Sequence, residues 1–146
     1  MTIYTIGFTK KSARAFFSKL KESGAKRLID VRLNNVSQLA GFTKKDDLRY
    51  LLDVICQMEY LHLPELAPTR DMLDAYKKEK GDWRVYEDRF LALMRERHVE
   101  ESVSPRVMED SCLLCSEERP DRCHRRLVAE YLRDKWGGSL EITHII

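Results

Sequence analysis

The chain has 146 residues, 43% of them hydrophobic and 9% aromatic, which suits one domain with a core of ordinary size. Its formal charge of +2 falls short of the concentrated positive excess of a dedicated nucleic-acid binder, so polyanion binding is allowed and not demanded. Unbroken apolar runs such as Phe90–Met94 are far shorter than the roughly 20 residues of a membrane span, which excludes a transmembrane helix.

Met1–Gly7 has neither a charged start nor a small-residue cleavage site, so it reads as a strand, Ile3 to Ile6, and not as an export signal. A cytoplasmic protein with four reduced cysteines is the expectation. Ser12 caps a helix whose stripe is Phe16, Phe17 and Leu20, and Gly24 ends it. Lys26 to Val31 is a second strand, completing a βαβ unit that is expected to be parallel. The stretch from Arg32 to Lys44, with Asn34, Asn35, Ser37, Gln38 and Gly41, has no period and reads as a long loop of the kind that carries function. Asp46 or Asp47 opens a helix with Leu48, Leu51, Leu52 and Ile55 on one side, and Glu59 to Leu63 is a third strand closed by Pro64. Thr69 caps a helix to about Lys80. Asp82 to Arg97 is the next, with Trp83, Tyr86, Phe90, Leu91 and Met94.

Lys77–Lys80 is expected to be a solvated helix end, and Trp83, Tyr86 and Phe90 a packing face. Ser111 to Cys115 gives a fourth strand, Asp121 to Trp136 a helix, Gly137-Gly138 a break, and Leu140 to Ile145 a last strand. The alternation predicts a three-layer α/β/α sandwich around a mostly parallel sheet of about five strands, Rossmann-like, in a single domain spanning 1–146.

Chemistry concentrates where the fourth strand ends, in Cys115, Ser116, Glu117, Glu118, Arg119, Pro120, Asp121, Arg122, Cys123, His124 and Arg125. Within and before this stretch, Leu113-Leu114-Cys115-Ser116-Glu117 with Pro120 and Cys123-His124-Arg125, together with Thr5-Ile6-Gly7-Phe8-Thr9 and Leu28-Ile29-Asp30-Val31-Arg32 at two earlier strand ends, resemble the family called domain of unknown function 488. The resemblance runs along essentially the whole chain. Asn34-Asn35-Val36-Ser37 and Pro64–Thr69 resemble stretches of its bacterial branch. The resemblance implies a fold and a candidate site, and no reaction.

In a parallel sheet Gly7, Asp30, Arg32, Cys115 and Glu117 all follow carboxyl ends of strands, so the fold brings them to one edge, beside the last helix's N-terminus, where anions bind. His124, Leu127, Val128 and Tyr131 share a helical stripe, which turns His124 toward the sheet. Cys115, Glu117, Cys123 and His124 are the candidate catalytic residues, either cysteine serving as nucleophile with His124 or Glu117 as acid or base. Gly7, Asp30, Arg32 and Arg125 are the candidate substrate-binding residues, Arg supplying a planar fork for phosphate or carboxylate. Cys112, Cys115, Cys123 and His124 have the number and types of a zinc site. However, Leu113 and Leu114 lie in a strand between the first two, sending positions three apart to opposite faces. The expectation is therefore no metal. With no glycine-rich phosphate motif, no cofactor is expected either.

These residues point to an enzyme acting on a compact anionic substrate, a nucleotide or nucleic-acid component. A phosphate, nucleotide or nucleic-acid binding module without turnover is the alternative. Sulfur transfer is a weaker one: Leu28–Arg32 and a later strand ending in cysteine resemble rhodanese-like domains, but the loop after Cys115 lacks their short glycine-bearing cradle.

Overall fold

A computed structural model describes residues 1–36 and 41–146; Ser37 and Gln38 of the expected long loop lie outside the described residues. Five strands, β1 (Thr2–Gly7), β2 (Arg27–Asp30), β3 (Glu59–His62), β4 (Ser111–Cys115) and β5 (Glu141–Ile145), form one sheet in the order β3-β2-β4-β1-β5. Every pairing is parallel. The helices are α1 (Ala13–Ser23), α2 (Lys45–Leu51), α3 (Arg70–Lys77), α4 (Trp83–Arg97), α5 (Val99–Ser102), α6 (Pro105–Met108) and α7 (His124–Trp136). The protein is an α/β sandwich, as its alternation of patterns implies.

Local chemistry sets most boundaries. The Ser12 hydroxyl accepts from the Ala15 N–H and Gly24, at φ 77°, closes α1. Thr69 and Asp82 cap α3 and α4 in the same way. Several boundaries differ from expectation, three of them by enough to matter. The chain after α2 continues as a π-helical turn, Leu52–Cys56, which carries Ile55, and stops at Gln57 with φ 49°. α3 ends at Lys77 and not near Lys80, because the Gly81 N–H turns back to the carbonyls of Ala75 and Tyr76 while Lys80 takes φ 53°. α7 begins at His124, three residues late: the Cys123 N–H bonds to the Pro120 carbonyl, and Cys123 itself is extended. Cys123 is thus the N-cap residue rather than a member of the first turn.

The period-2 alternation of the strands divides the core. Leu28, Cys112 and Leu114 pack with Phe16, Phe17 and Leu20 of α1, Leu48 of α2 and Leu52. Ile29, Val31, Leu113 and Cys115 pack on the other face, against Phe90 and Met94 of α4, Val99 of α5 and Leu127 and Val128 of α7. Connections leaving β1 and β2 therefore run over one face, and those leaving β3 and β4 over the other. Between neighbouring strands whose connections part in this way a crevice opens at the carboxyl edge.

Candidate functional site

A cavity of about 290 Å³ lies at that edge, close to the lower end of the roughly 300–1,000 Å³ typical of ligand pockets. Its floor contains Cys115 at the end of β4 and Cys123 and His124 at the start of α7. All three are buried, and their ligand-capable atoms lie within 4.8 Å of one another. The His124 ring is fixed from behind: Nε2 is 2.6 Å from the Val31 carbonyl, which can only accept, so Nε2 carries the hydrogen. Nδ1 is left with its lone pair, and the Cys115 sulfur lies 3.6 Å from Nδ1 and 3.9 Å from Nε2. Phe90 packs against the ring at 5.4 Å.

The two floor thiols differ. The Cys123 thiol donates to Cys115 and, with the Arg125 charge and the N–H groups of Ser116 and Glu117, lowers the Cys115 pKa against the opposing effect of burial. Burial, and the hydrogen bond and charge of Cys115, push Cys123 well up. Of the two thiols Cys115 is therefore the easier to ionise. Cys112, three residues earlier, faces the opposite layer, fully buried, and burial raises its pKa. The strand does separate Cys112 from Cys115, but the remaining three candidate ligands converge all the same.

Arg32 forms one wall. Its Nε and Nη2 grip the two oxygens of Asp30 at 2.8 and 2.7 Å, and Nη2 also donates to the Thr43 carbonyl at 2.7 Å. Tyr60 donates to Asp30 Oδ2 at 2.6 Å. Hydrogen bonding and charge from Asp30 raise the Arg32 pKa despite burial. Arg32 is 5% exposed, and its Nη1 is buried without a hydrogen-bond partner. A buried guanidinium nitrogen left unpaired is costly, and an anion at the cavity wall would satisfy it.

Gly7, Asp30 and Arg125 stand behind the wall and do not line the cavity. A Cβ on Gly7 would overlap the Glu117 carbonyl, so this glycine serves close approach of the loop after β4 and not of a ligand. Asp30 is fully buried and holds Arg32. Arg125, also fully buried, donates to the carbonyls of Glu117 and Glu118 at 2.6 and 3.3 Å and so fixes that loop. Glu117 does line the cavity, its carboxylate paired with Lys77 across the mouth.

Sequence reasoning missed the far wall. Tyr76 and Lys77 of α3 and Trp83 and Tyr86 of α4 line the cavity. The Trp83 and Tyr86 rings stack 5.1 Å apart at 23°, and Tyr76 meets both edge-on or tilted. Burial raises the Tyr86 pKa and keeps its hydroxyl neutral. Lys77 and Lys78 are exposed at the end of α3, as expected of a solvated helix end, and with Arg70 and Arg122 they also border the mouth. Spacing alone carries no signal for this wall, because it depends on where α3 and α4 are placed in the fold. His62 Nε2 donates to the Arg32 carbonyl at 2.9 Å, since a carbonyl can only accept. His144 pairs with Thr5 within the sheet.

Among the described residues no helix is long and apolar enough to cross a membrane. Searches among curated proteins and among solved structures return no match. Residues 12–132 match the family described as Domain of unknown function DUF488, a span that takes in β2, β3, β4 and most of α7 with the whole cavity floor, and the chain belongs to that family.

Proposed function

We propose that this protein is an enzyme acting on a compact anionic substrate of nucleotide or nucleic-acid-component type. The observation that carries the reading is that Arg32, a buried arginine with one guanidinium nitrogen unpaired, lines the same cavity as the Cys115, Cys123 and His124 cluster. Arg32 supplies a charged donor for a phosphate or carboxylate, already oriented by Asp30 and therefore bound with little loss of freedom. Trp83, Tyr76 and Tyr86 supply an aromatic wall against which a base can stack. Five cationic side chains, Arg32, Arg70, Lys77, Lys78 and Arg122, face two carboxylates, Asp74 and Glu117, which favours an anion throughout the mouth. The cluster on the floor is the reactive centre. Glu117 is the acid or base, released for that role when an entering anion competes for Lys77.

Incubation of the purified protein with nucleoside monophosphates and short oligonucleotides, followed by chromatography, tests the reading. Conversion of one of them, lost in Cys115→Ala and in Glu117→Gln while Glu117→Gln still binds it, is the expected result. Binding without conversion at any pH between 5 and 9 would identify a binding module instead. Neither binding nor conversion would remove the reading altogether.

A further inference from the structure

We infer that Cys115, Cys123 and His124 form a binding site for one borderline-soft divalent transition-metal ion, zinc being the best match, with a fourth coordination position open to the cavity. The inference rests on the functional reading above in taking this cluster as the reactive centre. Two thiolates and an imidazole are the ligand types zinc prefers, and catalytic zinc sites use three protein ligands and leave the fourth position to water or substrate.

The ligand atoms already stand close to the spacing such a site needs. With metal–sulfur bonds of about 2.3 Å and metal–nitrogen bonds of about 2.0–2.1 Å, a tetrahedral centre separates its sulfur and nitrogen ligands by roughly 3.6 Å. Cys115 Sγ and His124 Nδ1 are 3.6 Å apart, and Cys123 Sγ completes a set within 4.8 Å. His124 also has the outer hydrogen bond that metal-bound imidazoles almost always make, from Nε2–H to the Val31 carbonyl at 2.6 Å. That bond holds the tautomer in which Nδ1 carries a lone pair.

The three ligands come from two rigid positions, the last residue of β4 and the cap and first residue of α7, and Arg125 ties the loop between them. All three line the cavity that Arg32 also lines, so the fourth position is open to the same space as the arginine wall. Two thiolates would offset the charge of the ion, so that Arg32, held by Asp30, would serve the anion as a hydrogen-bond donor while the metal would supply a Lewis acid for a water or substrate oxygen. Cys112 is excluded, because it faces the other side of the sheet.

The test uses the full chain, stripped of metal by a chelator, checked for fold by circular dichroism and titrated with Co²⁺. The expected result is saturation at one equivalent, with the intense visible bands of a tetrahedral ion and a thiolate-to-cobalt charge-transfer band in the near ultraviolet. Cys112→Ser should titrate like the wild type. Cys123→Ser and His124→Gln should weaken Co²⁺ binding by more than the roughly 10–100-fold that loss of an outer hydrogen bond costs.

Should these variants fail to fold, alkylation of the wild type followed by mass spectrometry gives an independent reading: Zn²⁺ should protect Cys115 and Cys123 and leave Cys56 unaffected. No saturable uptake, an octahedral spectrum, unchanged affinity in Cys123→Ser, or absence of protection would each overturn the inference. Protein that takes up no metal but binds an anion in the cavity would remove this inference and leave the functional reading; metal uptake with no anionic ligand would do the reverse.

Discussion

The two faces of the sheet use similar apolar strand residues to opposite ends. On the α1 and α2 side, Leu28, Cys112 and Leu114 meet Phe16, Phe17, Leu20, Leu48 and Leu52 in a closed apolar layer. On the α4 and α7 side the same strands contribute Val31 and Cys115, and the packing stops short of the carboxyl edge, leaving a cavity where thiols, an imidazole and a guanidinium are buried together. β4 displays the contrast within five residues: Cys112 is core, while Cys115 is the floor of a site. The lesson is that burial alone does not tell a packing cysteine from a reactive one. What surrounds the sulfur does: the Arg125 charge acts on both Cys112 and Cys115, but of the two only Cys115 also receives hydrogen bonds, from Cys123 and the N–H groups of Ser116 and Glu117.

The largest way to break the contrast is at the clamp beneath Arg32. Asp30→Ala leaves a 5% exposed guanidinium without its carboxylate and should lower stability by about 3–5 kcal/mol in urea unfolding. The closed face should respond in stability alone. Leu114→Ala removes a fully buried side chain and should cost about 2–5 kcal/mol, with ligand affinity of the folded protein unchanged.

The open face should respond in the reverse sense: Trp83→Ala should weaken binding of a nucleoside monophosphate by about 1–3 kcal/mol, measured by calorimetry, with a smaller effect on unfolding. Smallest is the ion pair across the mouth. Lys77 and Glu117 are both about half exposed, so Lys77→Gln should change stability by less than about 1 kcal/mol. Raised salt should screen the pair and diminish even that effect.

Much of this arrangement was legible in the sequence, because the strands carry short apolar runs and the helices carry caps. The β–α alternation and the gathering of strand ends at one edge follow from Ile3–Ile6, Leu28–Val31 and Leu113–Cys115 with Ser12, Thr69 and Asp82 as caps. The separation of Cys112 from Cys115 also follows from strand alternation. Illegible were features that depend on which layer a helix joins. Trp83 and Tyr86 have ordinary helical spacing, and only the placement of α4 over the carboxyl edge makes them a cavity wall. Gly7, Asp30 and Arg125 sit at the right edge, yet side-chain direction and loop path put them one layer behind the ligand space. Cys123 was expected inside a helix that in fact begins after it, and that shift places its sulfur beside Cys115.

The central claim is that the cavity at the carboxyl edge holds an anion on the spare nitrogen of Arg32. Calorimetric titration of adenosine, guanosine, cytidine and uridine monophosphates into the wild type and Arg32→Lys tests it most directly, since lysine keeps a cation beside Asp30 but has no planar fork. Saturable binding of at least one of them by the wild type, weakened about tenfold or more in Arg32→Lys and lost when the phosphate is omitted from the ligand, is the predicted result. Equal affinity in the two proteins, or equal affinity for nucleoside and nucleotide, would contradict it.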